Sequence, residues 1–200
     1  MIIGLTGMYC AGKNHVASLL ERRGLAVLDV DGLGHIAIEN CKAAIFARFG
    51  EDLRESDGSV SRRRLGERVF GRDQELADLE AIVHPEANRL TLEWIGEHED
   101  KNCVINAALL HKSAVFPRLG CIILVTAPAL VRLMRARKRD KLPWGAIARR
   151  FASQREFFAQ YSAGNADIYK VENPGFGEPR SLSGLEGRIG DILSKLGLES

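Results

Sequence analysis

Residues 2–14 are IIGLTGMYCAGKN, and they carry the clearest structural signal in the 200-residue chain. The apolar run Ile2 to Thr6 predicts a buried strand, and the spacing of Val16 and Leu20 predicts a helix that follows. Between the two lies the pattern of a phosphate-binding loop: Gly, four residues, Gly and Lys. The pattern departs from the usual one only at its last position, where Asn14 replaces Ser or Thr.

The residue types in this loop suit the binding of a nucleotide. Glycines allow the backbone to wrap around phosphate oxygens, and the helix N-terminus adds the positive end of its dipole. Lys13 supplies a positive charge to the β- and γ-phosphates. The loop residues expected to contact ATP are Cys10, Ala11, Gly12, Lys13, Asn14 and His15. The alternative is a strand-to-helix turn that happens to contain glycine and lysine.

Asn14 occupies the position at which a hydroxyl normally ligates Mg²⁺. An amide oxygen is also a hard, neutral ligand, so Asn14 is a candidate ligand for Mg²⁺, directly or through a water molecule.

Two carboxylates end the second apolar run, in the sequence Asp29-Val30-Asp31. Residues two apart on a strand point the same way, so both carboxylates are expected to project from the carboxyl end of the strand, where ligands bind in open α/β sheets. A carboxylate there can orient and deprotonate an acceptor hydroxyl, or hold Mg²⁺ through water, and Asp29 is a candidate for the metal. A helix cap or a loop ion pair is the alternative for each.

Short apolar runs alternate with helical patterns along the rest of the chain. After the first, they are Leu25 to Val30, Val104 to Ala107, Ile122 to Ala127 and, more weakly, Ile168 to Val171. They predict an α/β fold of the P-loop NTPase type, with a doubly wound, parallel, five-stranded sheet. We expect a single domain, 1–200, with a helical substrate-binding insert at about 32–102 and a basic helical lid at about 132–160. Residues 174–184 predict a loop before a last amphipathic helix.

Composition limits the classes of partner. The net charge of +2 is too small to predict a nucleic-acid or membrane partner, and no segment approaches the roughly 20 apolar residues of a membrane helix. The four cysteines are widely spaced and no secretory signal is visible, which predicts reduced thiols. We therefore expect a cytoplasmic protein, a monomer or weak homo-oligomer, that acts on small molecules.

The predicted lid is rich in basic residues. They are Arg132, Arg135, Arg137, Lys138, Arg139, Lys141, Arg149, Arg150 and Arg155. One interpretation is a mobile segment whose arginines neutralise charge on a transferring phosphoryl group. A solvated helix face is the second. Nucleic-acid binding is the third, and it is disfavoured because no set of aromatic stacking residues accompanies the charges.

Taken in order, these motifs resemble the dephospho-CoA kinase family. The motifs are the phosphate-binding loop, Asp29 with Asp31, Gly58 to Arg62, Leu79-Glu80 with His84-Pro85, Leu109-Leu110, the basic segment through Gln154, Ala166-Asp167 and Asn173. The resemblance covers nearly the whole chain. The Leu-Glu and His-Pro segment is its most specific part, because generic P-loop kinases lack it.

The resemblance implies an ATP-dependent phosphotransferase, with Mg²⁺, that phosphorylates the ribose 3′-hydroxyl of dephospho-CoA in the last step of coenzyme A biosynthesis. It implies that Asp31, Lys13 and Arg139 are catalytic, and that Arg135 and Arg139 contact the ATP phosphates. The residues that it assigns to the acceptor are Asp31, His35, Arg62, His84 and Leu109.

The chain departs from the family pattern at two places. One is Asn14, and the other is the segment Ala107-Ala108-Leu109-Leu110-His111-Lys112, where the family usually carries Pro-Leu-Leu, an apolar or aromatic residue, and Glu. Two alternatives therefore stay open. One is another small-molecule P-loop kinase with a nucleoside or nucleotide acceptor, and the other is a nucleotide-binding module whose catalysis is impaired because of Asn14.

Overall fold

The computed structural model describes residues 1–140, 142–152, 154, 157–162, 166–174 and 179–198. These residues contain a five-stranded parallel sheet in the order β2-β3-β1-β4-β5. Its strands are β1 (Ile2–Gly7), β2 (Ala26–Asp29), β3 (Cys103–Asn106), β4 (Cys121–Thr126) and β5 (Asp167–Glu172). The predicted parallel sheet is confirmed, and each strand lies within two residues of its apolar run.

The central strands are the ones with continuous apolar sequence. β1 pairs with β3 on one side and β4 on the other, so that Ile3 lies opposite both Val104 and Cys121. All three side chains are buried, because helices cover both faces of the middle of the sheet. Since the strands are parallel, their carboxyl ends lie at one edge of the sheet, where the loop after β1 also begins.

Helices make up most of the remaining described residues. They are α1 (Lys13–Arg22), α2 (Val30–Asn40), α3 (Lys42–Phe49), α4 (Arg62–Val69), α5 (Asp73–Glu97), α6 (Ala129–Asp140), α7 (Trp144–Ala152), α8 (Ala159–Ser162) and α9 (Pro179–Lys195). Short 3₁₀ turns occur at Glu51–Leu53, Leu110–Lys112 and Phe116–Arg118. None of the described helices is long and apolar enough to cross a membrane.

The chain divides into two compact units. The first comprises residues 1–28 and 98–200, and its core lies between the sheet and helices that include α1 and α9. The second comprises residues 29–97, in which α2 to α5 enclose a separate apolar core. Leu65 and Val69, one helical turn apart on α4, both contribute to that core, as does Val83 on α5.

Two local predictions are wrong. Asp31 does not lie on a strand: β2 ends at Asp29, and Asp31 lies in the first turn of α2. Asp29 occupies the N-cap position of α2 without a capping hydrogen bond from its side chain, and the helix begins at Val30, before the strand could reach Asp31. The predicted loop at 174–184 also extends too far, because α9 begins at Pro179, and proline is well suited to a first helical turn. Residues 175–178 of that prediction lie outside the described residues.

Candidate active site

The phosphate-binding loop connects the carboxyl end of β1 to the first residue of α1, Lys13. Its backbone turns through two residues with positive φ, Cys10 at 59° and Gly12 at 93°. Met8 N–H donates to the carbonyl oxygen of Val125 at 3.1 Å, which ties the loop to β4. The first N–H groups of a helix lack intrahelical acceptors, so the start of α1 presents donors to an anion.

Two side chains from distant parts of the chain hold the carbonyl oxygen of Ala11. Asn173 Nδ2 donates to it at 2.9 Å and Arg135 Nη1 at 3.0 Å. Arg135 Nη2 also donates to Asn173 Oδ1 at 3.1 Å, so the two side chains and the Ala11 carbonyl are joined pairwise by three hydrogen bonds. Fixing this carbonyl also fixes the plane of the Ala11–Gly12 peptide, and therefore the direction of the Gly12 N–H group.

A cationic pocket of about 450 Å³ lies beside the loop. Its lining residues are Cys10, Gly12, Arg135, Lys138 and Arg139. The structure thus brings together four of the residues predicted to bind ATP, from the loop and from α6, and adds Lys138. Three cationic side chains against a loop of backbone donors suit an anion such as a nucleotide phosphate.

Contacts with Asp140 and with the ring of Tyr9 hold the Arg139 side chain in place. Its Nε donates to Asp140 Oδ1 at 2.6 Å, and its guanidinium lies 5.3 Å from the ring centroid of Tyr9. Arg150 Nη1 donates to Asp140 Oδ2 at 2.9 Å, and the Tyr9 hydroxyl donates to the same oxygen. Arg139 is the main reason that the pKa of Asp140 falls to about 2. Asp140 therefore stays ionised and places the Arg139 guanidinium over the loop.

Tyr9 is a second connection between the loop and the basic segment. Its N–H donates to Gln154 Oε1 at 2.6 Å, and Arg150 lies 5.4 Å from its ring centroid. Burial and the bond to Asp140 raise the pKa of its hydroxyl. Lys141 and Arg155, two further basic residues of the predicted lid, lie outside the described residues.

Lys13, Asn14 and His15 form the first turn of α1, and Asn14 and His15 are exposed. Asn106, the last residue of β3, donates from Nδ2 to Asn14 Oδ1 at 3.4 Å. Asn106 Oδ1 is buried and accepts no hydrogen bond from a described residue. No group of three or more His, Cys, Asp or Glu side chains in the described segments could hold a metal alone. The two amide oxygens nevertheless suit Mg²⁺ that arrives with a nucleotide.

His35 and Arg62, both predicted to bind the acceptor, line one groove within residues 29–97. The groove has a volume of about 910 Å³ and is lined by His35, Ile36, Glu39, Glu55, Ser59, Val60, Ser61, Arg62 and Arg63. Its carboxylates have partners on the protein: Glu39 accepts from Val60 N–H at 3.0 Å, and Glu55 pairs with Arg64 at 3.0 Å. Bonds from Ser61 and Arg64 lower the pKa of Glu55.

The remaining predicted site residues occupy separate positions. Asp31 is exposed at the start of α2, and Asp29 is exposed at the end of β2. His84 is partly buried in the middle of α5, which continues through Pro85. Leu109 is 52% exposed just after β3, whereas the adjacent Leu110 is fully buried.

A hydrogen-bonded group that the sequence does not predict lies next to the loop, at the end of β1. The hydroxyl of the buried Tyr161 is 3.3 Å from Thr6 Oγ1 and 3.3 Å from His111 Nδ1. Burial raises the pKa of Tyr161 and lowers that of His111, so the neutral forms of both are favoured. His111, which departs from the family pattern, therefore has a structural partner.

Asn106, Tyr9 and Asp140 were also not predicted as site residues. Asn106 carried a usable signal, since it is a polar residue that ends a buried apolar run at the ligand-binding edge of a parallel sheet. Asp140 carried a weaker one, as an acid within a strongly basic segment. For Tyr9 the sequence offered no signal of a site residue other than its position in the phosphate-binding loop.

The parallel sheet order, the loop after β1 and the cationic pocket beside that loop define a P-loop kinase. The family model described as dephospho-CoA kinase matches residues 1–168, and the chain belongs to this family.

Individual relatives agree with this assignment. A dephospho-CoA kinase from Treponema pallidum is 31% identical over 207 residues, which cover 98% of this chain and 96% of the relative. A solved structure from Thermus thermophilus is 32% identical, with a TM-score of 0.79 over 98% of this chain and 97% of that chain. A dephospho-CoA kinase from Campylobacter jejuni, 22% identical, shares the fold, with a TM-score of 0.69 over 98% of each chain.

Proposed function

We propose that this kinase transfers the γ-phosphoryl group of ATP to the ribose 3′-hydroxyl of dephospho-CoA. The observation that carries the proposal is the pocket in which Arg135, Lys138 and Arg139 lie against the phosphate-binding loop. Family membership supplies the acceptor. The acceptor is an alcohol, so the products are ADP and coenzyme A.

Catalysis in such a reaction consists mainly of positioning and charge stabilisation. Lys13 and the backbone donors at the start of α1 hold the β- and γ-phosphates, while Arg135 and Arg139 neutralise charge that develops on the transferring group. Asp31 orients the acceptor hydroxyl and takes its proton. Mg²⁺, when bound with ATP, shields the phosphate charges, and Asn14 is its candidate ligand, with Asp29 a weaker one.

The groove lined by His35 and Arg62 is the proposed acceptor site. Arg62 forms no ion pair with a described residue, whereas both carboxylates of the groove are engaged by the protein. Its guanidinium is therefore available to an anionic group, and the pyrophosphate of dephospho-CoA is one. We assign His84 and Leu109 to the acceptor as well, on the family pattern alone.

We place the protein in the cytoplasm, as a monomer or weak homo-oligomer whose partners are small molecules, not nucleic acids or membranes. All four cysteines lie in described segments and are free thiols, which suits a reducing compartment.

ADP release measured across a panel of acceptors tests the proposal. We expect the largest kcat/KM with dephospho-CoA, and a preference for a nucleoside or nucleotide would overturn the assignment. Because Asn14 departs from the usual pattern, the assay is repeated with Asn14→Ser. Turnover by the natural chain supports the kinase, and turnover by the variant alone would identify a nucleotide-binding module.

A further inference from the structure

Tyr9, a residue of the phosphate-binding loop, contacts the predicted lid through both its backbone and its ring. Its N–H donates to Gln154 Oε1 at 2.6 Å, and its ring centroid lies 5.3 Å from the Arg139 guanidinium and 5.4 Å from that of Arg150. Phe151 meets the same ring edge to face, with the centroids 5.8 Å apart. A guanidinium within about 6 Å of an aromatic centroid is attracted by the ring. The Tyr9 ring therefore connects the loop to both α6 and α7.

The bond to Asp140 fixes the Arg139 guanidinium on α6, because the two residues are adjacent at the end of that helix. Placement of the guanidinium against the loop also needs a contact that crosses from the helix to the loop. Tyr9 supplies that contact, since its ring attracts Arg139 and its hydroxyl bonds to Asp140. The Arg139 side chain is nevertheless 61% exposed and lines the cationic pocket. One side of the guanidinium is thus held by the protein, and the rest can meet a phosphate.

We propose that Tyr9 is a positioning residue for Arg139, whose guanidinium its ring holds where charge develops on the transferring phosphoryl group. The inference rests on the proposed function, in which Arg139 stabilises that charge. Arginine has considerable rotamer freedom, and a side chain already held in place costs less to order in the transition state. Arg135 has its own bonds to Ala11 and Asn173, so loss of the ring should hardly weaken the binding of ATP in the ground state.

Steady-state kinetics of coenzyme A formation by Tyr9→Leu, which removes the ring and keeps an apolar side chain, tests the inference. We expect kcat to fall about tenfold or more, because a small misplacement of a catalytic group can cost about a hundredfold. KM for ATP should change less than about threefold, as expected for an interaction made in the transition state.

Trp144→Leu is the matched control for Tyr9→Leu. The Trp144 ring also lies 5.3 Å from a guanidinium of α6, that of Arg137, but neither residue lines the cationic pocket. This variant should leave both kinetic constants unchanged. A loss of kcat equal to that of Tyr9→Leu would overturn the inference.

A second measurement separates positioning from a general structural role. Damage to the fold or the loop would lower kcat whether or not Arg139 is present, so Tyr9→Leu is also made in Arg139→Ala. Because the ring acts through the guanidinium, Tyr9→Leu should change kcat there by less than about twofold. An equal fold-loss in the two backgrounds, or an unchanged kcat in Tyr9→Leu alone, would overturn the inference.

Tyr9→Phe and Tyr9→trifluorophenylalanine test the inference if Tyr9→Leu fails to fold. The two rings have nearly the same shape, but fluorine withdraws electron density from the ring face and weakens its attraction for a guanidinium. The fluorinated ring should therefore give a kcat about two- to fivefold lower, and the difference should vanish in Arg139→Ala. Equal rates for the two rings, or a difference that persists without Arg139, would overturn the inference and leave the kinase assignment intact. Failure of the natural chain to form coenzyme A would overturn both.

Discussion

Asn173 Nδ2 occupies the space that a side chain at Gly12 would need. An ideal Cβ atom on Gly12 would lie less than 3.0 Å from that nitrogen, which donates to the carbonyl oxygen of Ala11. Glycine is therefore required at this position both for its positive φ and for space. The two residues are far apart in the chain, so the constraint couples the phosphate-binding loop to the segment after β5.

Replacing Gly12 with alanine should displace Asn173 and distort the loop. We expect Gly12→Ala to lose more than about 2 kcal/mol in the free energy of unfolding, since a clash adds to the roughly 1–2 kcal/mol cost of a left-handed residue. ATP binding should fall below detection. Urea unfolding and calorimetry measure the two effects.

Gly24→Ala is the matched control for Gly12→Ala. Gly24 also has a positive φ, of 81°, but a Cβ there meets nothing within 4 Å. The Gly24→Ala variant should lose only about 1–2 kcal/mol in the free energy of unfolding, and its ATP binding should be unchanged. Equal losses in the two variants would mean that the contact with Asn173 is unimportant.

Cys10 is the only non-glycine residue with positive φ among the described residues. Cys10→Gly should therefore relieve backbone strain and leave stability within about 1 kcal/mol, because the gain offsets the greater freedom of the unfolded chain. Cys10→Val should lower both stability and ATP affinity, since a β-branched residue tolerates this conformation poorly. Chemical unfolding of the two variants in parallel tests the difference. A Cys10→Val protein as stable as Cys10→Gly would contradict the strained geometry.

The Asp140 carboxylate should make stability depend on acid pH. Its pKa in the folded chain is about 2, below the roughly 3.9 of an unfolded Asp, so its contribution is complete above about pH 4 and is lost as the pH falls toward 2. The contribution is at most about 2.6 kcal/mol. The free energy of unfolding of Asp140→Asn, measured as a function of pH, should therefore fall less steeply between pH 4 and 2 than that of the natural chain.

Asp73→Asn, an equivalent change in the first turn of α5, is the comparison for Asp140→Asn. A slope for Asp140→Asn that matches the natural chain would show that its pairing with Arg139 and Arg150 does not stabilise the fold.

Tyr161→Phe tests the hydrogen bonds at the end of β1. The change removes the buried hydroxyl that Thr6 and His111 approach, and we expect a loss of about 1–2 kcal/mol in stability. Tyr169→Phe, on β5, removes a hydroxyl that bonds to no described residue and should cost less than about 0.5 kcal/mol. Equal effects would indicate that the Tyr161 hydroxyl is not an effective partner.

The sheet and the phosphate-binding loop could be predicted from the sequence because both depend on local pattern. A strand buried on both faces requires a continuous apolar run, and the loop requires glycines and lysine at fixed spacing. The sequence predicts Asp31 on a strand, because the alternation of side-chain directions does not determine where a strand ends. β2 ends at Asp29 because α2 begins at the next residue, Val30.

The contacts that complete the site could not be predicted in this way. Asn106 is 92 residues from Asn14, and Tyr9 is 131 residues from Asp140. Such pairs form only once the sheet order brings strand ends together, or once α6 packs on the loop. The roles of Asp31, His84 and Leu109 remain proposals drawn from the family pattern.

Formation of coenzyme A from dephospho-CoA and ATP, followed by mass spectrometry, tests the central claim most directly. The natural chain should produce one coenzyme A for each ADP, and Lys13→Ala, which removes the charge beside the phosphates, should slow the reaction at least a hundredfold, in line with the loss of one preorganised electrostatic group. Failure of the natural chain to form coenzyme A, or an unchanged rate in Lys13→Ala, would contradict the account.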